Sequence, residues 1–504
     1  MCAIKTKIIN SDRNDSESTR QPAIMVDTYK AILVHFMSYV SGHAYDKDYE
    51  FSQEELGALN PMDVKKYMCM KAYGTAEPNR DDHPLFARSS TLMFWKKAIS
   101  FYMPNKLMAW NAIAQVGNPT RSVEVNELIK TVKKQEVRKQ GKLSTARRAI
   151  THPKFLRMLD YLKEDEDAMR KYGLPSLFVF QYNLIARIDD TCQFLVSNLT
   201  ASSDFDFVLR SRLNWSKNVH EERDAPNQIL LGAIDFRYCV LLTLAIHLEV
   251  FLGTEGGQGG LSPYVFGFSD DITVPDGGSK TKDKIQAILH NEIFCHEEFH
   301  DGVGGLLGSH SNRKLASTHA MKNGCRREEK DLRGRWKRRK HVSNVYDDVD
   351  LPYPDAKVAG RLCVGGPCKY VVKEGSGVTD NFLLENVVPN VRTRYADDVA
   401  KVLGKALLWL IFSSDSDYLP QALRDCVRTA YDNIAQLPAG ENPVKKLQLL
   451  SQAMKENCTW MKWEKIWVVQ KMALDVVIKG KSTREKNCWR SNHRLLDYAK
   501  QLTI

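Results

Sequence analysis

The stretch Tyr238–Leu252 is the most apolar in the chain, interrupted only by His247 and Glu249. It is shorter than the ~20 apolar residues a bilayer span needs, so it reads as a helix buried on all sides. Such a helix needs a large folded unit around it. At roughly 150 residues per domain, the 504 residues give an expectation of about three units. Hydrophobic residues make up 43% and charged residues 26%. These are values of an ordinary globular chain and exclude a disordered, collagenous or membrane protein. Eleven cysteines, scattered and odd in number, fit a reducing compartment in which thiols stay free. The N-terminal residues carry no apolar core of a secretory signal, so an intracellular protein is expected.

Charge adds a direction. Lys and Arg total 72 against 61 Asp and Glu, a formal +11, which favours a polyanionic partner. The placement is more telling than the total. Residues 129–150 hold eight basic residues and the single acid Glu136, and 313–340 hold twelve against Glu328, Glu329 and Asp331.

Periodicity predicts a fold that is mainly α with a small antiparallel β-sheet. Residues 1–20 read as a disordered tail. Residues 21–128 read as a bundle of four or so helices, one of them opened by Asn60 as N-cap and Pro61 at the first helical position. A basic linker is expected at 129–151, an α+β unit at 152–375 and a helical C-terminal extension at 376–504. Within the α+β unit, Phe205–Asn218, Ser262–Phe268 and Val364–Gly375 are strand-like, and Gly324 suits a helix C-cap. In the extension, Asp397–Phe412 and Asn442–Met454 read as amphipathic helices. The Trp- and Lys-rich tract Trp460–Met472 reads as core, with base stacking as the alternative.

Two constellations can carry chemistry. His296-Glu297-Glu298-Phe299-His300 matches H-E-x-x-H, which on an α-helix sets two imidazoles on one face for Zn²⁺ with Glu297 as general base. No third ligand is evident. Cys363 and Cys368 could hold a metal only together with ligands distant in the sequence, and otherwise read as structural. The second constellation is larger: His310-Ser-Asn-Arg313, then Trp336, then Tyr346.

This second pattern resembles the catalytic half of tyrosine recombinases, the phage-integrase family. The family implies an arginine in R-x-x-[ED], found as Arg187-Ile-Asp-Asp190, and a hairpin lysine further on, found as Lys217. It also implies a helix and a [YF]-[LV]-F strand signature before H-x-x-R, found as Val240–Leu252 and Tyr264-Val265-Phe266. Tyr346 stands one residue further from Trp336 than in the simplest members. Tyr353 lies between Pro352 and Pro354, an unpromising place for a nucleophile on a helix. The family usually ends soon after its tyrosine, whereas this chain runs on to Ile504. More loosely, Leu351–Val358 and Gly334–Lys340 resemble recombinases of mobile elements in microbial eukaryotes, of the Crypton type.

The resemblance implies site-specific DNA recombination and integration through a 3′-phosphotyrosyl intermediate, with no metal or other cofactor. Tyr346 is the implied nucleophile, and Arg187 and Arg313 fork the scissile phosphate. Lys217 protonates the leaving 5′ oxygen, while His310 assists deprotonation of Tyr346 or binds the phosphate. Trp336 donates its indole N–H, and Asp190 supports Arg187 by i, i+3 pairing. The expected partners are double-stranded DNA and further copies of the chain, a dimer per site and a tetrameric synapse, with no membrane. The expected location is the nucleus if the source is eukaryotic. Phosphate contacts are expected from Lys133, Lys134, Arg138, Lys139, Arg147 and Arg148 in the linker, and from Arg335, Lys337 and Arg338 in the Arg333–Lys340 cluster. The alternatives are a recombinase-derived DNA-binding protein without activity and a zinc metallopeptidase at His296 and His300.

Overall fold

The computed structural model describes residues 23–447 except 145, 204, 215, 217, 218, 220–223, 254–262, 268–276, 301–304 and 337–351. The chain divides into two compact units, Met1–Thr145 and Ala146–Ile504.

The first unit is helical: α1 (Ala23–Ser41), the short α2 (Gln53–Gly57), α3 (Pro61–Tyr73), α4 (Ser89–Tyr102) and α5 (Val123–Val137). Its core joins Leu33, Phe36, Val64, Tyr67, Met68, Leu92, Ile99, Ile129 and Val132. The start of α3 follows the sequence reading. The Asn60 side chain accepts from the N–H groups of Met62 (2.8 Å) and Asp63 (3.2 Å), and Asp63 accepts from the Asn60 N–H at 3.0 Å. Gly74, at φ 82, stops the helix, and a Cβ there would crowd the Phe86 ring.

The expected linker is not a separate segment. Its first part is α5, whose Val125, Leu128, Ile129 and Val132 are core residues. Ile150, next to its end, lies in the core of the second unit. Glu136, the one acid of the basic run, turns inward to the first turn of α4. It pairs with Arg88 at 2.8 Å and accepts from the Ser89 N–H, where the positive end of the helix favours an anion. Lys133, Lys134, Arg138 and Lys139 are left exposed.

In the second unit, α6 (His152–Lys163), α7 (Leu174–Asn183) and the short α8 (Ile188–Cys192) precede a three-stranded antiparallel sheet. Its strands are β1 (Leu199–Ala201), β2 (Leu209–Ser211) and β3 (Gln228–Leu230), paired Leu199↔Ser211 and Leu209↔Leu230. A second antiparallel sheet follows: β4 (Gly232–Ala233), β5 (Pro367–Val372) and β6 (Val444–Leu447). The segment expected to form a helix over Asn442–Met454 thus begins as a strand, because β5 supplies the pairing Lys369↔Leu447 to Val372↔Val444. Around the sheets lie α9 (Val240–Leu252), α10 (Gly277–Ile288), α11 (Ser309–Lys322), α12 (Arg327–Arg333), α13 (Pro352–Leu362), α14 (Pro389–Arg392), α15 (Asp397–Ile411) and α16 (Gln421–Asp432).

The helix anticipated from the apolar stretch is α9, with eleven of its residues buried. His247 is accommodated by a contact from its Nε2 to the Val265 carbonyl at 3.0 Å and by stacking on Phe251 and Phe266. Burial pushes its pKa down to about 4, so the ring is neutral. Residues 379–444 are not a separate extension: Leu383, Val391, Leu403, Leu407, Val427 and Val444 belong to one core with α7 and α9. Among the described residues no helix is long and apolar enough to cross a membrane.

Glu249 ties α9 to α14. Its carboxylate accepts from the Val391 N–H (3.1 Å) and the Asn390 side chain (2.9 Å). Burial nonetheless pushes the carboxyl up to about 7, against an ordinary 4.5, so the folded chain holds a proton that the unfolded chain releases. Stability from this group is therefore full below about pH 4.5 and is lost as pH rises toward 7. Relative to Glu249→Gln, the wild type is expected to lose on the order of 2 kcal/mol between pH 5 and 8 in urea unfolding.

Candidate active site

Arg187 sits where the chain leaves α7. The helix stops at Asn183, Ile185 takes φ 48, and Arg187 becomes the N-cap of α8 rather than a residue within a helix. A left-handed β-branched residue is strained, and such strain concentrates at functional sites. Asp190, one turn on, accepts from the Arg187 backbone N–H at 3.0 Å. It does not pair with the Arg187 guanidinium, contrary to the expected i, i+3 bridge. That guanidinium is half-buried and donates to Ser216 Oγ at 3.4 Å. The Asp190 carboxylate instead takes Nη2 of Arg335 at 3.2 Å, both side chains being almost fully buried.

Arg313 comes from α11, whose start is fixed to α7. Asn312 donates to the Phe178 carbonyl (2.8 Å) and to Gln181 Oε1 (3.0 Å), and Gln181 donates to the Ser309 carbonyl. The Arg313 guanidinium lies 4.7 Å from the Trp336 ring centroid and donates to the Gly334 carbonyl. Its Nε has no hydrogen-bond partner among the described residues. Gly334 is needed for this packing, since a Cβ there would overlap the Trp336 ring. Arg335 then takes φ 51, the second strained residue of the site. Its Nη1 donates to Gln228 Oε1 at 2.6 Å and to the Arg333 carbonyl at 3.1 Å. Gly324, at φ 84, follows α11 as the sequence suggests.

The electrostatics are lopsided. Burial, then the like charges of Arg335 and Arg187, push Arg313 down to about 9, with Asp190 opposing. An arginine keeps its proton, so the imbalance is expressed as unneutralised positive potential. Among the described residues the Asp190 carboxylate, paired with Arg335, stands beside three guanidiniums, while Asp189 is paired with Lys282 at 3.3 Å. His310, on the first turn of α11, is pushed below its usual 6.5 by partial desolvation and by Arg313 and Arg187. It is neutral at pH 7 and able to accept a proton. A cluster with this surplus suits an oxyanion with several negative oxygens.

The remaining site residues divide. Lys217 and Tyr346, with Lys337 and Arg338, lie outside the described residues. Lys217 falls in the sequence between β2 and β3, directly after Ser216, which accepts from the Arg187 guanidinium. Arg335 is 5% exposed and ion-paired, so it is not an outward DNA contact. Arg333 is likewise interior. Arg148 turns inward and donates to the Phe299 carbonyl at 2.9 Å, while Arg147 remains exposed. Tyr353 falls in the first turn of α13, where Pro352 and Pro354 are tolerated, so the prolines do not keep it off a helix.

The H-E-x-x-H segment lacks its helix. Glu297–Phe299 is a single 3-10 turn, His296 stacks on Tyr161 with centroids 4.3 Å apart, and Glu298 pairs with Arg157 at 3.0 Å. The imidazoles do not share a helical face, and no metal-holding group of His, Cys, Asp or Glu occurs among the described residues. Sequence reasoning missed the inward roles of Arg335, Gln228 and Ser216; basic runs usually face solvent, and nothing local marks these as exceptions. A scan against protein-family models finds no match, and no curated protein matches the sequence.

Proposed function

We propose that this chain is a DNA strand-breaking and rejoining enzyme of the tyrosine-recombinase type, serving integration or excision of a mobile element. The observation that carries the reading is the gathering of Arg187, Arg313 and Arg335, from three separated parts of the sequence, near the Asp190 carboxylate, with His310 close to Arg313 and Arg187. A scissile phosphodiester supplies the missing negative charge, and its non-bridging oxygens gain charge in the transition state. Arg187 and Arg313 fork those oxygens, and Trp336 fixes the Arg313 plane.

In the step proposed, the Tyr346 phenolic oxygen attacks phosphorus as its proton passes to neutral His310. The bond to the 5′ oxygen breaks, and Lys217 gives that oxygen a proton. The phosphate stays esterified to the tyrosine until a 5′ hydroxyl reverses the step. Exposed Lys133 and Lys134 on α5, Arg138 and Lys139 directly after it, and Arg147 supply phosphate contacts along the duplex.

The test is relaxation of supercoiled plasmid by the full chain in excess EDTA. Activity in EDTA is expected, holding level from pH 8 to pH 6.5 and falling only in more acid solution as His310 gains its proton. Duplex binding without relaxation at any pH would favour the inactive DNA-binding protein; activity abolished by EDTA would overturn the metal-independent mechanism.

A further inference from the structure

We infer that Arg335 is a positioning residue of the phosphate site: it holds and neutralises the Asp190 carboxylate, which leaves the Arg187 guanidinium free for the phosphate. The inference rests on the reading of this cluster as a phosphate site.

Asp190 stands one helical turn from Arg187 in sequence, a spacing at which a carboxylate and a guanidinium ordinarily pair. In this chain they do not. One oxygen of Asp190, Oδ2, receives both the Arg187 backbone N–H at 3.0 Å and Arg335 Nη2 at 3.2 Å. That oxygen is thereby committed to the Arg187 main chain and to a different guanidinium, while Oδ1 is buried with no hydrogen-bond partner among the described residues. The Arg187 side chain is left with Ser216 Oγ at 3.4 Å as its hydrogen-bond partner among the described residues.

Arg335 is fitted to hold this position. Its Nη1 is fixed by Gln228 Oε1 and the Arg333 carbonyl, and the residue tolerates a left-handed backbone to place its side chain inward. Residues other than glycine seldom adopt that conformation unless the surroundings enforce it. The same turn carries Gly334, whose carbonyl receives Arg313, and Trp336, whose ring backs it. One short segment therefore orders both arginines, Arg313 directly and Arg187 through Asp190.

Without a cation at position 335, the Asp190 carboxylate becomes available to the Arg187 guanidinium, which then competes poorly for phosphate. The experiment measures binding of inorganic phosphate to the full chain by phosphorus NMR titration at low salt. The site-specific part of the signal is that lost in Arg187→Met.

Arg335→Met is expected to weaken this binding at least tenfold, the scale of one charge-assisted hydrogen bond. Arg335→Lys, which keeps a cation against Asp190, is expected to restore most of it. Adding Asp190→Asn to Arg335→Met is also expected to restore it, since the neutral amide no longer captures Arg187. A purely structural role predicts that the two changes add to a deeper loss. Where Arg335→Met fails to fold, Arg335→Gln serves as the uncharged variant, tested against Arg335→Lys in the same way.

Equal binding in the charged and uncharged variants, or no recovery with Asp190→Asn, would overturn the inference while leaving the phosphate site standing. Absence of Arg187-dependent phosphate binding in the wild type would overturn the site and the inference together.

Discussion

Arg313→Lys is expected to lower strand cleavage by about 10²–10³-fold, the scale seen when one preorganised oxyanion donor is removed, while leaving the fold intact by circular dichroism. The guanidinium lies over the Trp336 ring at 4.7 Å, donates to the Gly334 carbonyl, and keeps its Nε without a partner among the described residues. A lysine ammonium is a compact point charge and cannot reproduce this arrangement. A rise in the substrate concentration needed, with the cleavage rate unchanged, would place Arg313 in uniform binding rather than in transition-state stabilisation.

Arg333→Met is expected to produce the largest loss of stability, about 3–5 kcal/mol, the usual consequence of breaking a buried ion pair from one side. Arg333 is 1% exposed. It donates to the Asn183 carbonyl at the end of α7 (2.8 Å) and the Ile229 carbonyl of β3 (2.9 Å), and pairs with Asp355 of α13. One side chain therefore ties three elements behind the site, and its removal leaves Asp355 charged and buried. Adding Asp355→Leu is expected to recover part of the loss, because a well-packed apolar pair often replaces a buried ion pair at little cost. Urea unfolding measures both; equal stability of Arg333→Met and wild type would show that the bridge contributes nothing.

The elements whose cause is local were legible in the sequence. Asn60 and Pro61 mark the start of α3 by themselves, Gly324 follows α11 as expected, and α9 is set by an apolar run broken only at His247 and Glu249. What escaped depends on distant partners. The strand Val444–Leu447 exists because β5 lies beside it, while its VKKL text equally suits a helix. The basic run 129–150 looked like a linker because its buried residues are spaced among lysines; the core contacts of Ile129 and Val132 and the pairing of Glu136 with Arg88 show which way it faces.

The site followed the same rule. His310 and Arg313 share one helix and could be read as a pair, and Arg187 followed at a family spacing. The partner that Asp190 takes is 145 residues away, so local i, i+3 reasoning assigned it to Arg187 instead. Arg333 and Arg335 sit in a run of arginines and lysines that elsewhere would face water, and only tertiary packing turns them inward.

The proposed covalent phosphotyrosyl intermediate can be trapped. The full chain is incubated with a randomised duplex library carrying nicks, in excess EDTA, then denatured, digested and analysed by mass spectrometry for nucleotide-linked peptides. A nucleotide esterified through its 3′ phosphate to Tyr346 is expected, lost in Tyr346→Phe and retained in Tyr353→Phe. An adduct on Tyr353, or firm duplex binding with no adduct on any tyrosine, would contradict the proposed mechanism.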